Sequence, residues 1–288
     1  MRYLLVFCLF LASFSAFSED RVFDTKLNRF LTVKEFADLI PPRGQVVMGE
    51  YHYQGNIQKA QGVIIQAIVD RHFRYDDFSV SWEFLNYTDQ TAVAESFLGY
   101  RNGEFDALEL FKKWFPASTK PEQNLPYKAF VDVTKKLGGE VIAVNAPRKH
   151  KRVITAGGID ALDRDLLPPT YEVGSKNYLK RFKEAMGGHV PEDKIRNYFE
   201  AQCYTDTMMA HQMMAYSAFD LQFLIVGAFH SDYLDGVVRE IGKTHVYETT
   251  TVKIVDKAEL DITAYREMLF GSRSYGAFAD YIFFTNWK

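Results

Sequence analysis

Short runs of consecutive apolar residues alternate along the chain with stretches whose apolar positions recur every three or four residues, and the runs repeatedly end in polar side chains. Val46-Val47-Met48-Gly49 closes on Glu50, Tyr51 and His52, and helical periodicity follows over 57–73. This pattern predicts a buried strand, a polar turn and a helix. A second strand over 78–82 ends in Glu83. The helix predicted after it, over 87–98, has Thr88 as cap, Gln90 one turn in and Gly99 as stop. A helix over 127–137, closed by Gly138-Gly139, leads into a third strand at 141–144 that ends in Asn145-Ala146-Pro147-Arg148, where Pro147 suits a first helical turn. A fourth strand at 223–226 ends in Gly227-Ala228-Phe229-His230, with a return helix over 234–241. Shorter helices are predicted at 33–39, stopped by Pro41-Pro42, and at 108–114, with further strands at 245–250 and 281–285.

Strands alternating with helices of this length imply an α/β fold with a mainly parallel sheet and helices on both faces. From about 157 to 218 the strand signal disappears, and Pro168-Pro169 and Gly187-Gly188 punctuate helical pieces. We read this stretch as an α-helical insertion packed over one edge of the sheet, within one domain of residues 19–288. Its Met208, Met209, Met213 and Met214 suit core filling, although methionine also lines adaptable ligand surfaces.

Residues 1–18 change the picture of where the protein works. Arg2 gives a basic start, 3–14 is an apolar run too short to span a bilayer, and Ala16 and Ser18 are small residues at the positions a signal peptidase reads. The mature chain is expected to begin at Glu19 in the periplasm or outside the cell, with no transmembrane segment. Cys8 would leave with the leader, and Phe7 just before it counts against a lipid anchor. Cys203 then has no disulfide partner. The formal charge of −3 becomes −4 once Arg2 is lost, and the 24 phenylalanines and 17 tyrosines are not interleaved with basic residues, which excludes a nucleic-acid binder.

In a parallel sheet the carboxyl ends of the strands lie along one edge, so Glu50, His52, Glu83, Asn145, Arg148 and His230 are expected to converge there. Glu50 alone would be an ordinary carboxylate at a helix start; the recurrence of polar groups on all four strong strands points to a site. Two imidazoles and two carboxylates suit zinc or manganese, with bound water as nucleophile and a carboxylate as general base. Without metal, a Glu–His pair could deprotonate water while Arg148 holds an anion. His72, His150, His189 and His245 sit among charges or loop residues and are expected to be solvated; His211 would reach a ligand if its Met-rich helix faced the cleft.

The ordered motifs resemble those of the ChaN-like proteins over about residues 40–242: Gly49-Glu50-Tyr51-His52 with Gln61, Glu83 with Gln90 and Gly99, Asn145-Ala146-Pro147-Arg148, Gln202 through Asp206 with Met209-Ala210, and Gly227-Ala228-Phe229-His230. The resemblance implies a three-layer α/β/α fold with a helical subdomain, shared with erythromycin esterases and Tiki metalloproteases. It implies haem binding and iron uptake at the bacterial envelope, with a homodimer around paired haems, Tyr and His as iron ligands, and envelope iron-transport components as partners. Carried over by position, Glu50, His52, Glu83 and His230 are the hydrolytic or metal residues of the relatives. Asn145, Arg148, Gln202 and Asp206 are the candidate ligand-binding groups. Tyr51, Tyr53, Tyr204, Tyr233 and His211 are the candidate haem ligands. Two departures stand out: Gln58 occupies a position where many members carry a second histidine, and no lipid-attachment motif precedes Cys8.

Overall fold

The computed structural model describes residues 20–216, 218–244 and 247–287. Eight strands form one sheet: β1 (Arg21–Asp24), β2 (Arg29–Leu31), β3 (Gly44–Glu50), β4 (Phe78–Asn86), β5 (Glu140–Asn145), β6 (Leu221–Gly227), β7 (Thr249–Asp256) and β8 (Tyr281–Thr285), in the order β2-β1-β8-β7-β3-β6-β4-β5. From β8 to β5 every neighbour pair is parallel, and β1 pairs antiparallel with β8 and β2.

The unbroken apolar runs follow from burial on both faces. Successive side chains point to opposite sides, so Val46 and Met48 enter one core with Val80, Trp82, Phe223 and Ile225, while Val47 enters another with Ile142, Val144, Leu224 and Val226. The first core is covered by the helices Gly55–His72 and Lys128–Leu137 through Ile64, Ile65, Ile68, Phe130 and Val131. The second is covered by Met209 and Met213 of the helix Ile195–Ala215 and by Val237, Val238 and Ile241 of Val237–Gly242. This gives helix, sheet and helix layers, and the methionine stripe serves as core. Between β5 and β6 the described residues are helical or irregular, with Arg148–Gly157, Lys176–Met186 and Ile195–Ala215 as the main helices.

Several boundaries differ from the sequence reading. Strand β4 runs through Glu83 to Asn86, with its pairing to β5 shifted between Trp82 and Asn86. The helix Gln90–Asn102 passes through Gly99, where a Cβ would come within 2.8 Å of the Phe105 ring; Gly99 is small to let that ring pack, and Gly103, at φ 78°, stops the helix. The strand expected from 245 begins at Thr249, and His245 lies outside the described residues, as does the leader 1–18. The short β1–β2 hairpin and the helix Ile262–Phe270 lacked a readable pattern. No helix among the described residues is long and apolar enough to cross a membrane.

Strand β5 is the last of the sheet, and Gln90 caps its free edge. The side-chain oxygen of Gln90 accepts from the Ala143 N–H at 2.6 Å and its amide donates to the Val141 carbonyl at 3.3 Å, which imitates a neighbouring strand. Gln90→Ala should lower stability by about 1–3 kcal/mol, because a largely desolvated backbone donor loses its partner. Urea unfolding would measure the shift in midpoint.

Candidate functional site

The carboxylate of Glu50 ends β3 almost fully buried, and four donors close on it. Tyr127 O–H donates to Oε1 at 2.6 Å, His52 Nδ1–H donates to the same oxygen at 2.8 Å, and Gln58 donates to Oε2 at 2.7 Å. Gln61 also donates to Oε2. Gln58 and Gln61 lie one turn apart at the start of the helix that follows, so a single helix face supplies both amides. With its lone pairs engaged, Glu50 orients His52 and fixes its Nδ1 proton.

The other nitrogen of His52 faces the sheet edge at Gly227. A Cβ on Gly227 would come within 2.8 Å of His52 Nε2 and 3.3 Å of Glu83 Oε2, so glycine is required for the imidazole to approach β6. Gly49 beside it is needed for a similar reason: a Cβ there would strike the Ser231 hydroxyl at 2.2 Å, where the turn after β6 packs down on β3. Gly227→Ala should overpack this point and cost about 1–3 kcal/mol. A thermal melt, with the His52 ring followed by NMR, would register both the loss and the displaced imidazole.

Glu83 bridges to a second histidine. Its Oε2 accepts from the Gly227 N–H, and its Oε1 lies 3.2 Å from His230 Nε2. On the opposite side of the ring, His230 Nδ1 donates to Asp206 at 2.5 Å, and Asp206 also accepts from the Tyr178 hydroxyl at 2.7 Å. The Gln202 amide packs within 3.0 Å of both Tyr178 Oη and His230 Nδ1. Because both ring nitrogens face carboxylates, both must donate, and His230 is an imidazolium. Burial alone would lower its pKa; Glu83 and Asp206 reverse that and push it up to about 10. Burial would raise Glu83, but His230, the Gly227 amide and His52 bring it down to about 2. Burial likewise pulls His52 down, and its bond to Glu50 and the charge of Glu83 leave it raised.

Asn145 and Arg148 part company. Asn145 donates to the Glu83 carbonyl at 2.6 Å and so ties β5 to β4 where their pairing shifts. Arg148 is exposed at the start of its helix, and the cation that reaches the edge is Lys151, whose ammonium lies 3.3 Å from Asn145 Oδ1. Burial lowers the Lys151 pKa, with the Glu83 charge opposing. His150 is also placed differently from expectation: it is buried and packs its Nδ1 3.2 Å from the Tyr204 hydroxyl.

The expected metal set does not assemble. Among the described residues no group of three or more His, Cys, Asp and Glu side chains is arranged to hold an ion. The reason is local: Glu50 is saturated by donors, and His230 spends both nitrogens on carboxylates.

Of the five candidate haem ligands, Tyr204 is fully buried, with its hydroxyl on His150 and the Leu166 carbonyl. His211 is exposed on the far side of the Met-rich helix, lining a cavity of about 360 Å³ with Met208, Tyr87 and Arg164. Tyr233 is half-buried against Phe278 and Arg181. Tyr51 and Tyr53, on the turn leaving β3, are 46% and 51% exposed. Tyr53 stands over Phe84 and Tyr127, and burial together with Glu50 and Glu83 raises its pKa. Tyr51 stands over the buried ammonium of Lys253.

Sequence reasoning missed Tyr127, Tyr178, Lys151 and the roles of Gln58 and Gln61. The two glutamines had a legible signal, paired amides one turn apart on the first helix after Glu50. Tyr127 and Tyr178 had none, since each reaches the site from an element distant in sequence.

The chain is similar to known proteins in sequence and in fold. The family described as "Haem-binding uptake, Tiki superfamily, ChaN" matches residues 37–241. A ChaN structure from Campylobacter jejuni, described as showing cofacial heme binding, superposes with a TM-score of 0.69 at 17% identity over 92% of this chain and 96% of that one. A histidine mutant of the erythromycin esterase EreC in its open conformation gives 0.45 at 12% identity over 82% and 77%, and a Bacillus cereus protein gives 0.42 at 11% over 78% and 68%. No curated protein sequence matches the chain. With the family match spanning most of its length and the same α/β fold, the chain belongs to the ChaN family of haem-binding uptake proteins in the Tiki superfamily.

Proposed function

We propose that the chain itself binds haem at the aromatic rim of the sheet's carboxyl edge and serves haem or iron uptake in the periplasm or outside the cell. The observation that carries this reading is the pair of exposed phenols, Tyr51 and Tyr53, on the turn leaving the central strand, with the Phe84 ring beside Tyr53 and the Lys253 ammonium beneath Tyr51. Phenol oxygens and aromatic rings fit a ferric porphyrin: Tyr51 or Tyr53 would hold it with Phe84 alongside, and the bound group would supply ferric iron as the cargo. The residues beneath, from Glu50 to His230, hold the turn and the sheet edge in place.

Titration of residues 19–288 with hemin should give a saturable Soret shift at micromolar protein; an unshifted Soret band would contradict the reading. The reading also expects the haem-loaded chain to form a homodimer and to pass its cargo to envelope iron-transport components. Light scattering with and without hemin measures the first of these. Residues 1–18 would direct export, so N-terminal sequencing of the exported protein should begin at Glu19.

One observation favours a second reading, hydrolysis of an ester or peptide. His52 Nε2 and Glu83 Oε2 meet over the bare Cα of Gly227, where a water could be held and deprotonated by the Glu50–His52 pair. A zinc- or manganese-dependent form would need Glu50 or His230 to give up its present partners. Ester or peptide turnover that disappears in His52→Ala would support this reading, and turnover retained in that variant would exclude it.

A further inference from the structure

The residues Arg148-Lys149-His150-Lys151-Arg152 put four cationic side chains in one unbroken run, and the sequence has no acidic residue between Glu140 and Asp160. They open the helix Arg148–Gly157, which leaves the carboxyl edge of the sheet just beyond Asn145 of β5. His150 and Ile154 are its buried positions. Its outer face is made by Arg148, Lys149, Arg152, Val153 and Ala156, all exposed, the set that a period of 3.6 brings to one side. Val153, one turn beyond Lys149, is 42% exposed. Among the described residues no carboxylate lies within ion-pair distance of any of the four cations, and the contact of Lys151 is with the neutral Asn145 Oδ1.

The fold is not stabilised by this arrangement. The start of a helix is the positive pole of its backbone dipoles, so Arg148 and Lys149 in the first turn are repelled by it. Arg148 and Arg152, four residues apart, repel each other as well. The side chains between them feel the same field: burial and then the Lys149 charge lower the His150 pKa, and Arg148 adds to the lowering of Lys151 by burial, against Glu83. A local cost that packing does not offset marks a surface kept for a partner. The complement of an unpaired cationic face is an anionic one. The chain as a whole has a formal charge of −3, so the attraction acts at contact and not at long range.

We propose that the outer face of the helix Arg148–Gly157 docks on an anionic phospholipid surface, with Arg148, Lys149 and Arg152 among the phosphate headgroups and Val153 at their apolar boundary. A single helix face is convex, and long side chains radiating from it reach a plane of mobile headgroups without a matching pocket. The exposed valine between the cations suits that boundary. Because the helix starts at the carboxyl edge, docking brings that edge close to the bilayer. The inference goes beyond the haem reading and stands without it.

The test is co-sedimentation of residues 19–288 with vesicles of phosphatidylethanolamine and phosphatidylglycerol, against vesicles of phosphatidylcholine alone, with folding monitored by circular dichroism. The chain should sediment with the anionic vesicles at low salt and stay in solution with the neutral ones. About 1 M salt, where the screening length falls to about 3 Å, should release it. Each cation removed near a charged membrane lowers partitioning about 5-fold, so Lys149→Gln with Arg152→Gln should lower it about 30-fold. The charge-conserving pair Lys149→Arg with Arg152→Lys should bind as the wild type does. So should Arg266→Gln with Arg273→Gln, which removes two exposed cations elsewhere on the surface. No sedimentation with anionic vesicles at low salt would overturn the proposal, as would binding unchanged in a folded Lys149→Gln, Arg152→Gln variant or binding that survives high salt. Tighter binding to soluble polyglutamate than to the vesicles, at equal concentration of negative charge, would overturn the lipid assignment in favour of an acidic protein.

Discussion

Glu83→Ala should destabilise the protein by about 3–5 kcal/mol, the usual cost of removing one partner from a buried charge pair. The loss has two parts. His230 would keep Asp206 but lose the carboxylate that faces its Nε2, and the Gly227 N–H would lose its acceptor at the point where β6 meets β3. Glu83→Gln should cost less, because an amide oxygen can still accept from Gly227 while the charge is gone. The measurement is the urea midpoint at constant slope, with His230→Gln and the double variant completing a thermodynamic cycle. If the two single changes simply add, His230 and Glu83 are not coupled and the buried pair is not what holds this edge. Against a typical domain stability of about 5–15 kcal/mol, the single change should leave a protein that is folded but fragile at 37 °C.

The sheet was legible because its physics is local and repetitive. Four apolar runs ended in polar groups, and parallel strands buried on both faces leave no other place for those groups than the carboxyl edge. Hence Glu50, His52, Glu83 and His230 were found from strand ends, and Gln202 and Asp206 from the ordered motifs of the resemblance. What the pattern could not give is which atoms face which. Two histidines and two glutamates look like a metal set on paper, yet Gln58, Gln61 and Tyr127 occupy Glu50, and Asp206 turns His230 into the centre of a charge relay. Arg148 looked like the anion-binding cation by position, but helix geometry turns it outward and brings Lys151, three residues on, back over the edge. Lys253 was invisible because a lone lysine in an apolar strand reads as an edge residue until Asp232, 21 residues earlier, is seen beside it. Gly99 misled because a glycine that makes room for Phe105 and one that stops a helix look alike in sequence.

Raising the pH from 7 to 8.5 should lower stability by about 2 kcal/mol, through a single imidazole. His230 has its pKa raised to about 10 in the folded protein, against an ordinary value of 6.5. The folded state therefore keeps a proton that the unfolded chain releases. The contribution is complete below about pH 6.5 and is lost progressively as pH rises toward 10, with a slope of up to about 1.4 kcal/mol per unit. His52, also raised, acts in the same direction nearer neutrality. Glu83 has the opposite sign and belongs to the acid limb: its contribution is present above the ordinary carboxylate range and disappears as pH falls through about 2. Two other groups limit the useful window. Lys151, lowered by burial, adds stability as pH approaches the ordinary lysine value, and the buried Cys203 thiol, pushed up by burial, subtracts it once an unfolded thiol ionises near pH 9. Between pH 7 and 8.5 His230 dominates, and urea unfolding across that range should show the slope in the wild type and a flattened one in His230→Gln. The NMR spectrum of the His230 ring nitrogens gives an independent reading, with both protonated at pH 8. A neutral tautomer at that pH would mean that Glu83 and Asp206 do not share a buried cation, and the charge assignment of the whole edge would have to be redrawn.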